Sequence, residues 1–488
     1  MLEFSEQEGI RRQKLAELVQ AGQDPYAITR FDRTHVSSDI LERFEELEGQ
    51  QASIAGRLLS KRVMGKAAFV HLLDGAGQMQ VYVRREDLGT EAYDAFKTLD
   101  IGDIVGVNGQ VFRTQKGEIS VHASQVTLLS KALKPLPEKF HGLRDTDLRY
   151  RQRYVDLIVN PEVREVFYKR SRIISEMRRY LGGLGFLEVE TPILNTVASG
   201  GHARPFMTHH NTLDLAMYLR IALELPLKKL IVGGLEKVYE IGRNFRNEGM
   251  DSTHSPEFTM MELYQAYTGM EGMMEIAQDV ISHCAREVLG TTIVCYQGVE
   301  IDLTPPFARL SMNDAVRQYT GADFMACAND AEAHALAQSL QLYIKDKSAT
   351  RGQILAEAFD AFVEDKIVQP VFITGYPVEI SPLAKRDPKY PDLTERFELF
   401  IAGSEYANAF SELNDPIDQR ARFEQQARQR AKGDDEAMVI DEDFCESLEY
   451  GMPPTGGIGM GVDRLVMLLT DSSSIRDVLL FPTMKPRE

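Results

Sequence analysis

Between Ser53 and Leu129 five short β-rich runs follow one another: Ser53–Leu58, Ala68–Leu73, Met79–Val83, Asp103–Phe112 and Glu118–Leu129. The turn signals Met64-Gly65-Lys66, Asp74-Gly75-Ala76-Gly77 and Lys116-Gly117 lie between them, and one helical stretch near Glu91–Leu99 interrupts the series. Five strands in so short a span fit a small five-stranded β-barrel of the OB type, with a plain β-sandwich as the alternative. Barrels of that type hold single-stranded nucleic acid with basic groups and base-stacking aromatics, and this segment offers Arg57, Lys61, Arg62, Phe69, Tyr82 and Arg113. A barrel core needs Phe and Tyr for itself, so the aromatics alone do not decide between the two uses.

The rest of the 488 residues leaves room for further domains at about 100–200 residues each. Apolar residues at 43% and charged residues at 26% exclude a collagen-like or wholly disordered chain. Residues 51–131 hold ten Lys/Arg against eight Asp/Glu in a chain whose formal charge is −18, so the barrel segment is the candidate for an anionic partner. The overall charge argues against indiscriminate coating of nucleic acid. Cys284, Cys295, Cys327 and Cys445 form no C-x-x-C pair, which points to free thiols in a reducing cytoplasm. No uncharged apolar run reaches the ~18 residues of a membrane span, and MLEFSEQEG has no basic segment leading into an apolar one, so neither membrane insertion nor secretion is expected.

Residues 4–22 read as a weakly amphipathic helix, a surface arm stopped by Gly22 and Pro25. The expected organisation is a helical extension over 1–50, the barrel over 51–131, a basic Pro-containing linker over 132–150 and a large domain over 151–488. In the large domain Asn160-Pro161 caps and opens a helix with the apolar face Val163, Val166, Phe167, Ile174, Met177 and Leu181, ended by Gly182-Gly183. A strand over Phe186–Ile193 follows. Strands over 238–245, 258–267, 371–380 and 397–402 then mix with helices around 268–288, 311–319, 330–340, 351–365 and 415–432, an α+β pattern with much antiparallel sheet.

The chain has no G-x-x-x-x-G-K-[ST] loop, no dinucleotide G-x-G-x-x-G and no kinase-like set. Instead, Gly242–Glu248 reads as an outgoing strand, followed by a polar loop to Ser255-Pro256 and a return strand to Tyr267. Arg246 and Glu248 would share a face of the first strand, and Phe258, Met260, Glu262 and Tyr264 a face of the second. That row suits an extended adduct with a base at one end and a small cationic group at the other; a hairpin with a solvated polar face would read the same. Gly457-x-Gly459-x-Gly461 leads through Arg464 into the apolar helix Leu465–Leu469, either admitting a ligand or forming a packing turn. Glu398, Glu405, Asn408 and Glu412 run through the Ala402-Gly403-Ser404 turn. Carboxylates on the two arms of such a hairpin can jointly hold Mg²⁺, although spacings of this kind arise freely among 73 acidic residues.

In order along the chain, Phe186-Leu-Glu-Val-Glu-Thr-Pro192 resembles motif 1 of class II aminoacyl-tRNA synthetases, Phe245-Arg246-x-Glu248 with its loop and return strand resembles motif 2, and Gly457-x-Gly459-x-Gly461-x-x-Arg464 resembles motif 3. An OB domain joined to such a catalytic domain marks the aspartate, asparagine and lysine subgroup. RYRQRYVDLI at 149–158, Gly200-Gly201-x-Ala203-Arg204-Pro-Phe206, THHN at 208–211, RNFRNEG, SPEFTMMELYQAY, SPLAK at 381–385 and NAFSELND at 408–415 are similar to the bacterial lysyl-tRNA synthetases. The likeness runs from about residue 50 to 484.

The resemblance implies a cytoplasmic enzyme that activates L-lysine with ATP and passes it to the 3′ end of tRNA(Lys), releasing AMP and pyrophosphate. By that likeness Arg246 would hold the α-phosphate and the amino-acid carboxylate, Glu248 and His254 would meet the adenine and outer phosphates, and Phe258 and Arg464 would sandwich the base. Arg246, Glu248 and Arg464 are the implied catalytic set; Glu398 and Glu405 would hold Mg²⁺, with more than one ion per site. Gly201, Glu224 and Glu262 fall to the α-amino end of lysine, Glu412 and Tyr264 to its side-chain ammonium, with Asn408 close by. In the barrel Phe69 and Gln80, helped by Arg62 and Glu118, would read the anticodon. A helical insertion would separate motifs 2 and 3.

Specificity has its own physical argument. A buried ammonium must be paired, so a lysine pocket needs carboxylates where an aspartate or asparagine pocket needs cationic or amide donors. The same fold acting on aspartate or asparagine is disfavoured by the glutamates; a protein-modifying relative typically lacks the OB domain. A non-catalytic nucleic-acid binder is disfavoured by the intact Arg246, Glu248, Glu398, Glu405 and Arg464. Two departures, Leu223 in place of a frequent proline and a shorter Gly200–Arg204 stretch, would shift the pocket loop slightly. The motif 1 likeness implies a homodimer, although its apolar helix face also suits a monomer core. Neither DNA nor a membrane is an expected partner.

Overall fold

Along the first half of β1 (Gln51–Met64) buried side chains alternate with half-buried ones, the period of a sheet wrapped around one core. Its first residues pair with β4 and its last with β2, the change of partner falling at Arg57. One long strand thus serves two neighbours, which is why it outruns the expected Ser53–Leu58. With β2 (Ala67–Leu73), β3 (Gln78–Arg84), β4 (Ile104–Arg113) and β5 (Ile119–Ser130) it forms a closed barrel in the order β1-β2-β3-β5-β4, and the sandwich alternative falls away. This is the arrangement in a computed structural model that describes residues 4–137, 143, 145–197, 200–201, 203–431 and 439–487. Ile54, Leu58, Val70, Val81, Val107 and Val121 fill the barrel core. Where the β4–β5 register shifts, at Asn108/Gly109, a Cβ on Gly109 would collide with the His122 carbonyl.

The helix Glu6–Gln20 starts at a Ser5 capping box, as its sequence allows, but it is not a free surface arm. Arg11 is buried and donates to the carbonyls of Ile101 (3.0 Å), Ala132 (2.9 Å) and Lys134 (3.2 Å), fixing the helix to the rest of the compact unit Met1–Arg144. A single guanidinium with several carbonyl partners does what an apolar stripe would otherwise do.

The second compact unit is Asp145–Glu488. Within the expected linker, residues 138–142 and 144 lie outside the described residues, while Thr146–Arg151 is helical and Tyr150 donates to Asp477 (3.0 Å). The helix Pro161–Gly183 buries Val163, Ile173, Met177 and Leu181, with Ile173 rather than Ile174 deepest. Asn160 does not cap it; the amide donates to Asp156 (2.6 Å), and Pro161 supplies the preset backbone at the start.

After it come β6 (Leu187–Glu188), β7 (Leu194–Asn195), β8 (Met207–His210), β9 (Leu215–Leu219), β10 (Lys237–Phe245), β11 (Glu257–Ala266), β12 (Ile293–Tyr296) and β13 (Val299–Asp302). β14 (Ala308–Ser311), β15 (Val371–Thr374), β16 (Arg396–Ile401), β17 (Ser404–Ser411) and β18 (Thr455–Gly461) complete the set among the described residues. The main sheet has the order β14-β15-β16-β17-β18-β11-β10-β6, antiparallel except at its two end pairs. Two expected strands are cut short. After Val189, the N–H and hydroxyl of Thr191 are both taken by the Glu240 carboxylate (2.8 Å each) and Pro192 has no N–H, so the run 186–193 pairs only at Leu187–Glu188. The run 371–380 ends at Thr374 because Gly375 turns the chain at φ 73° and a short 3₁₀ turn, Val378–Ile380, follows.

One face of this sheet buries Met261, Leu263, Leu399, Ala407, Ile458 and Met460 against the helices Pro161–Gly183, Met270–Leu289 and Val462–Thr470. Each of these Met, Leu and Ile side chains contributes about 1.5–3 kcal/mol on leaving water. The opposite face carries the polar groups. Replacing Gly109 by Ala is expected to weaken the barrel by about 1–3 kcal/mol through overpacking. Hydrogen exchange would register this as faster amide exchange in β4 and β5 with β16–β18 unaffected.

Candidate active site

Phe258, Met260, Glu262 and Tyr264 lie on the face of β11 opposite the core, and all four line a cavity of about 670 Å³. Register sets Glu262 opposite Gly459, Gly459 opposite Asn408 and Asn408 opposite Glu398, so one row of the sheet crosses the cavity floor. The glycine in its middle leaves the gap: a Cβ there would lie 3.2 Å from the Met260 methyl. The polar face is therefore a pocket, not a solvated hairpin.

β10 ends at Phe245, so Arg246 and Glu248 stand just past the strand instead of on it, yet both line the cavity. The Arg246 N–H still donates to Pro256 (3.0 Å), its Nε donates to the Ile221 carbonyl (3.4 Å), and its guanidinium stands 5.1 Å from the Phe258 ring centroid. His254, exposed at the cavity edge, has Nδ1 2.8 Å from the Asp251 carboxylate. Arg464 occupies the first turn of Val462–Thr470; it donates to the Glu405 carbonyl and lies 3.7 Å from the Glu405 carboxylate. Beside it, Asp463 accepts from the Thr259 N–H (2.7 Å) and pairs with Arg170 (2.6 Å), tying this helix to β11 and to Pro161–Gly183.

Glu398 and Glu405 project into the same cavity from the β16–β17 hairpin, whose register shifts between Leu399 and Phe400. Tyr376 donates to Glu398 (2.8 Å) and so does Arg396. Burial pushes the Glu398 carboxyl up to about 7; Arg396 opposes this and the Glu405 charge adds to it. Two oxygen-bearing carboxylates with lone pairs to spare fit Mg²⁺, which takes one or two protein carboxylates and completes its shell from phosphates and water. Among the described residues no group of three His, Cys, Asp or Glu forms a closed metal cage.

At the other end Gly200, Gly201, Glu224, Glu262, Tyr264 and Asn408 line the wall, while His202 lies outside the described residues. Glu262 accepts from the Leu223 N–H (3.1 Å) and from Tyr264 (3.2 Å). Burial pushes its carboxyl up to about 7, with the Glu224 charge adding to the effect. Glu412 is not among the lining residues. It is buried behind Gly457, where a Cβ would collide with both Glu412 and Tyr264, and its carboxylate meets the Lys228 ammonium.

Lys228 escaped sequence reasoning, although its spacing of four from Glu224 was a signal. Arg396 was missed as well; it donates to Asn408 (3.1 Å), Ile380 (2.9 Å) and Ser381 (2.9 Å) besides Glu398, and nothing in its local sequence marks that role.

In the barrel the register aligns Arg62 with Phe69, Phe69 with Tyr82 and Tyr82 with His122. The Phe69 and Tyr82 rings stand 4.7 Å apart, and Tyr82 and His122 5.2 Å. None of these rings belongs to the barrel core, so they form an outer ladder and not core packing. Gln80 accepts from Ser120 (2.8 Å), and Glu118 stands 3.5 Å from His71 beside the ladder.

A basic and aromatic barrel face, with an antiparallel sheet that gathers arginines, paired carboxylates and a glycine row around one cavity, is the pattern of an enzyme that joins an activated small acid to a nucleic acid. Residues 145–485 match the family described as tRNA synthetases class II (D, K and N), and residues 52–129 match the OB-fold nucleic acid binding domain. The chain belongs to the class II tRNA synthetases of that group. It is 58% identical over 481 residues to the lysine–tRNA ligase of Moorella thermoacetica, covering 98% of both chains. Against the lysine–tRNA ligase of Syntrophomonas wolfei the identity is 57% over 486 residues, 100% of this chain and 98% of the relative. That of Pelotomaculum thermopropionicum is 58% identical over 480 residues, 98% of this chain and 95% of the relative.

Glu262 gives the site a pH signature. The fold keeps its proton to about pH 7, whereas the ordinary value is 4.5, so the unliganded protein loses stability as pH rises through that window. The whole loss is ~3 kcal/mol. In Glu262→Gln this contribution is absent, and the Tm gain over the unsubstituted chain is expected to widen from pH 5 to pH 8. A gain constant across that range would mean that Glu262 ionises freely in the fold.

Proposed function

We propose that this enzyme activates L-lysine with ATP and transfers it to tRNA(Lys), as a lysine–tRNA ligase. The observation that carries the reading is that Glu224 and Glu262 line one end of a cavity, with Glu412 buried behind Gly457, while the other part of the cavity holds Arg246, Phe258 and Arg464. Carboxylates there suit the two ammonium groups of lysine, and Arg246 suits its carboxylate and the α-phosphate between amino acid and nucleotide.

The reaction is an in-line displacement. A carboxylate oxygen of lysine attacks the α-phosphorus of ATP and pyrophosphate leaves; the tRNA 3′ hydroxyl then attacks the acyl carbon and AMP leaves. No protein nucleophile is needed, so the chain contributes position and charge. Arg246 stabilises the charge that grows on the α-phosphate, Phe258 and Arg464 hold the base between ring and guanidinium, and Glu248 and His254 orient adenine and outer phosphates. Gly201, with Glu224 and Glu262, receives the α-amino group; Tyr264 and Asn408 face the side-chain end, with Glu412 buried behind them. Glu398 and Glu405 are the residues that would hold Mg²⁺, which neutralises phosphate charge when bound. Phe69, Gln80, Arg62 and Glu118 would receive the anticodon.

A second copy of the chain is the proposed partner at the edge strand β6 and the sheet β7-β9-β8. Leu187, Ile193, Leu194, Met207 and Leu213 are exposed there, an apolar concentration that a homodimer would cover. No helix among the described residues is long and apolar enough to cross a membrane, and the cytoplasm, where tRNA is charged, is the proposed location.

Exchange of pyrophosphate into ATP without tRNA, run in parallel with lysine, aspartate, asparagine and β-lysine, is expected with lysine alone; preference for β-lysine would point to protein modification. Arg246→Ala should lower exchange by at least about 100-fold, the scale of a lost transition-state donor. Phe69→Ala should weaken tRNA charging and spare exchange. Equal damage to both reactions would refute separate anticodon and catalytic sites.

A further inference from the structure

Lys228 lies one helical turn beyond Glu224 on the helix Glu224–Val232 and is fully buried. Its ammonium meets a carboxylate oxygen of Glu224 and one of Glu412, and stands 5.4 Å and 5.8 Å from the ring centroids of Phe410 and Phe444. Burial works against its charge, but Glu224 and Glu412 outweigh that and hold its proton more tightly than usual. The side chain is thus a fixed cation buried behind the wall of the amino-acid end.

Three carboxyl groups, those of Glu224, Glu262 and Glu412, crowd that end; burial, together with the Glu224 charge, raises those of Glu262 and Glu412, the latter in spite of Lys228. The Lys228 ammonium joins two of them, Glu224 in the cavity wall and Glu412 buried behind it. We propose that Lys228 is a positioning and specificity-setting residue, whose ammonium, held between Glu224 and Glu412, keeps the two carboxyl groups together and Glu224 presented to a substrate ammonium. The inference rests on the lysine reading above and adds to it a residue that need not touch the substrate.

The consequence runs against simple attraction. Removing a positive charge beside a cation site should tighten binding if attraction were all. Without Lys228, however, Glu224 and Glu412 lose the cation that joins them, and the two like groups repel and shift apart in a buried wall. Glu224 is then no longer held toward the substrate ammonium, so affinity for lysine falls.

The test uses the full chain with Lys228→Met and Lys228→Gln, alone and combined with Glu412→Gln, in ATP–pyrophosphate exchange and thermal unfolding. Both single variants are expected to raise KM for lysine at least tenfold and to leave KM for ATP within twofold. Lys228→Gln guards against failure to fold, because its amide can still donate to a carboxylate. In the Glu412→Gln background either substitution should add less than threefold, since the group it acts through is gone. Unchanged KM for lysine in folded Lys228→Gln would overturn the proposal, as would an equal rise in KM for both substrates or effects that multiply fully with Glu412→Gln. If the unsubstituted chain exchanged with another amino acid and not with lysine, the functional reading would fall and this inference with it. Lysine exchange with an indifferent Lys228→Gln would remove this inference alone.

Discussion

Alternation along β11 is the constraint on which the rest depends. Met261 and Leu263 are fully buried in the main apolar core, while Met260, Glu262 and Tyr264 face the cavity. A slip of one residue would drive Glu262 into the apolar core and turn Leu263 to the substrate, so the apolar packing itself fixes which atoms meet ligand. The same register aligns the glycines of β18 on one side and, on the other, carries β10 to Phe245, next to Arg246. Asp463 secures the end of the strand by taking the Thr259 N–H, so the helix that presents Arg464 cannot move independently of it.

Buried charge separates structural from functional carboxylates. Asp103 is paired with Lys131, Asp156 with Arg153 and Glu240 with Arg220, each with its cation fixed in the fold. Glu262 has a backbone N–H and a phenol instead, and Arg246 only as a more distant influence. A carboxylate buried in that way is held at a cost that an arriving ammonium relieves, which is why perturbed groups gather at sites where ligands bind. Glu412 stands between the two cases, since its cation, Lys228, is shared with Glu224 of the pocket wall.

The barrel strands, the polar row of β11, the β16–β17 hairpin and the glycine triad were legible because each rests on local spacing. The fold adds what local spacing cannot carry. Val371–Ile380 looks like one strand until Gly375 turns it, and Phe186–Ile193 until Glu240, from another strand, captures Thr191. Arg11 gave no sign of docking because its carbonyl partners come from distant loops. The pairing of Lys228 with Glu412 joins a helix to the end of β17, and no sequence window contains both. Arg246 and Glu248, expected on a face of the strand, line the cavity from just past its end.

The three glycines of β18 show how one motif can hide different demands. Gly457 is required by the protein itself: a side chain there would displace Glu412 and Tyr264, and with them the charge balance of the pocket. Gly459 sits in open floor between Glu262 and Asn408, where a Cβ would crowd only the flexible end of Met260, so its demand comes from whatever lies over the floor. Gly461 precedes the helix at φ −73°, a value any residue adopts, and a Cβ there would make ordinary contact with Arg464. The spacing of the triad therefore follows from strand alternation, which puts all three on one face, while the reason for glycine is packing at Gly457 and ligand space at Gly459, and nothing in the fold requires it at Gly461.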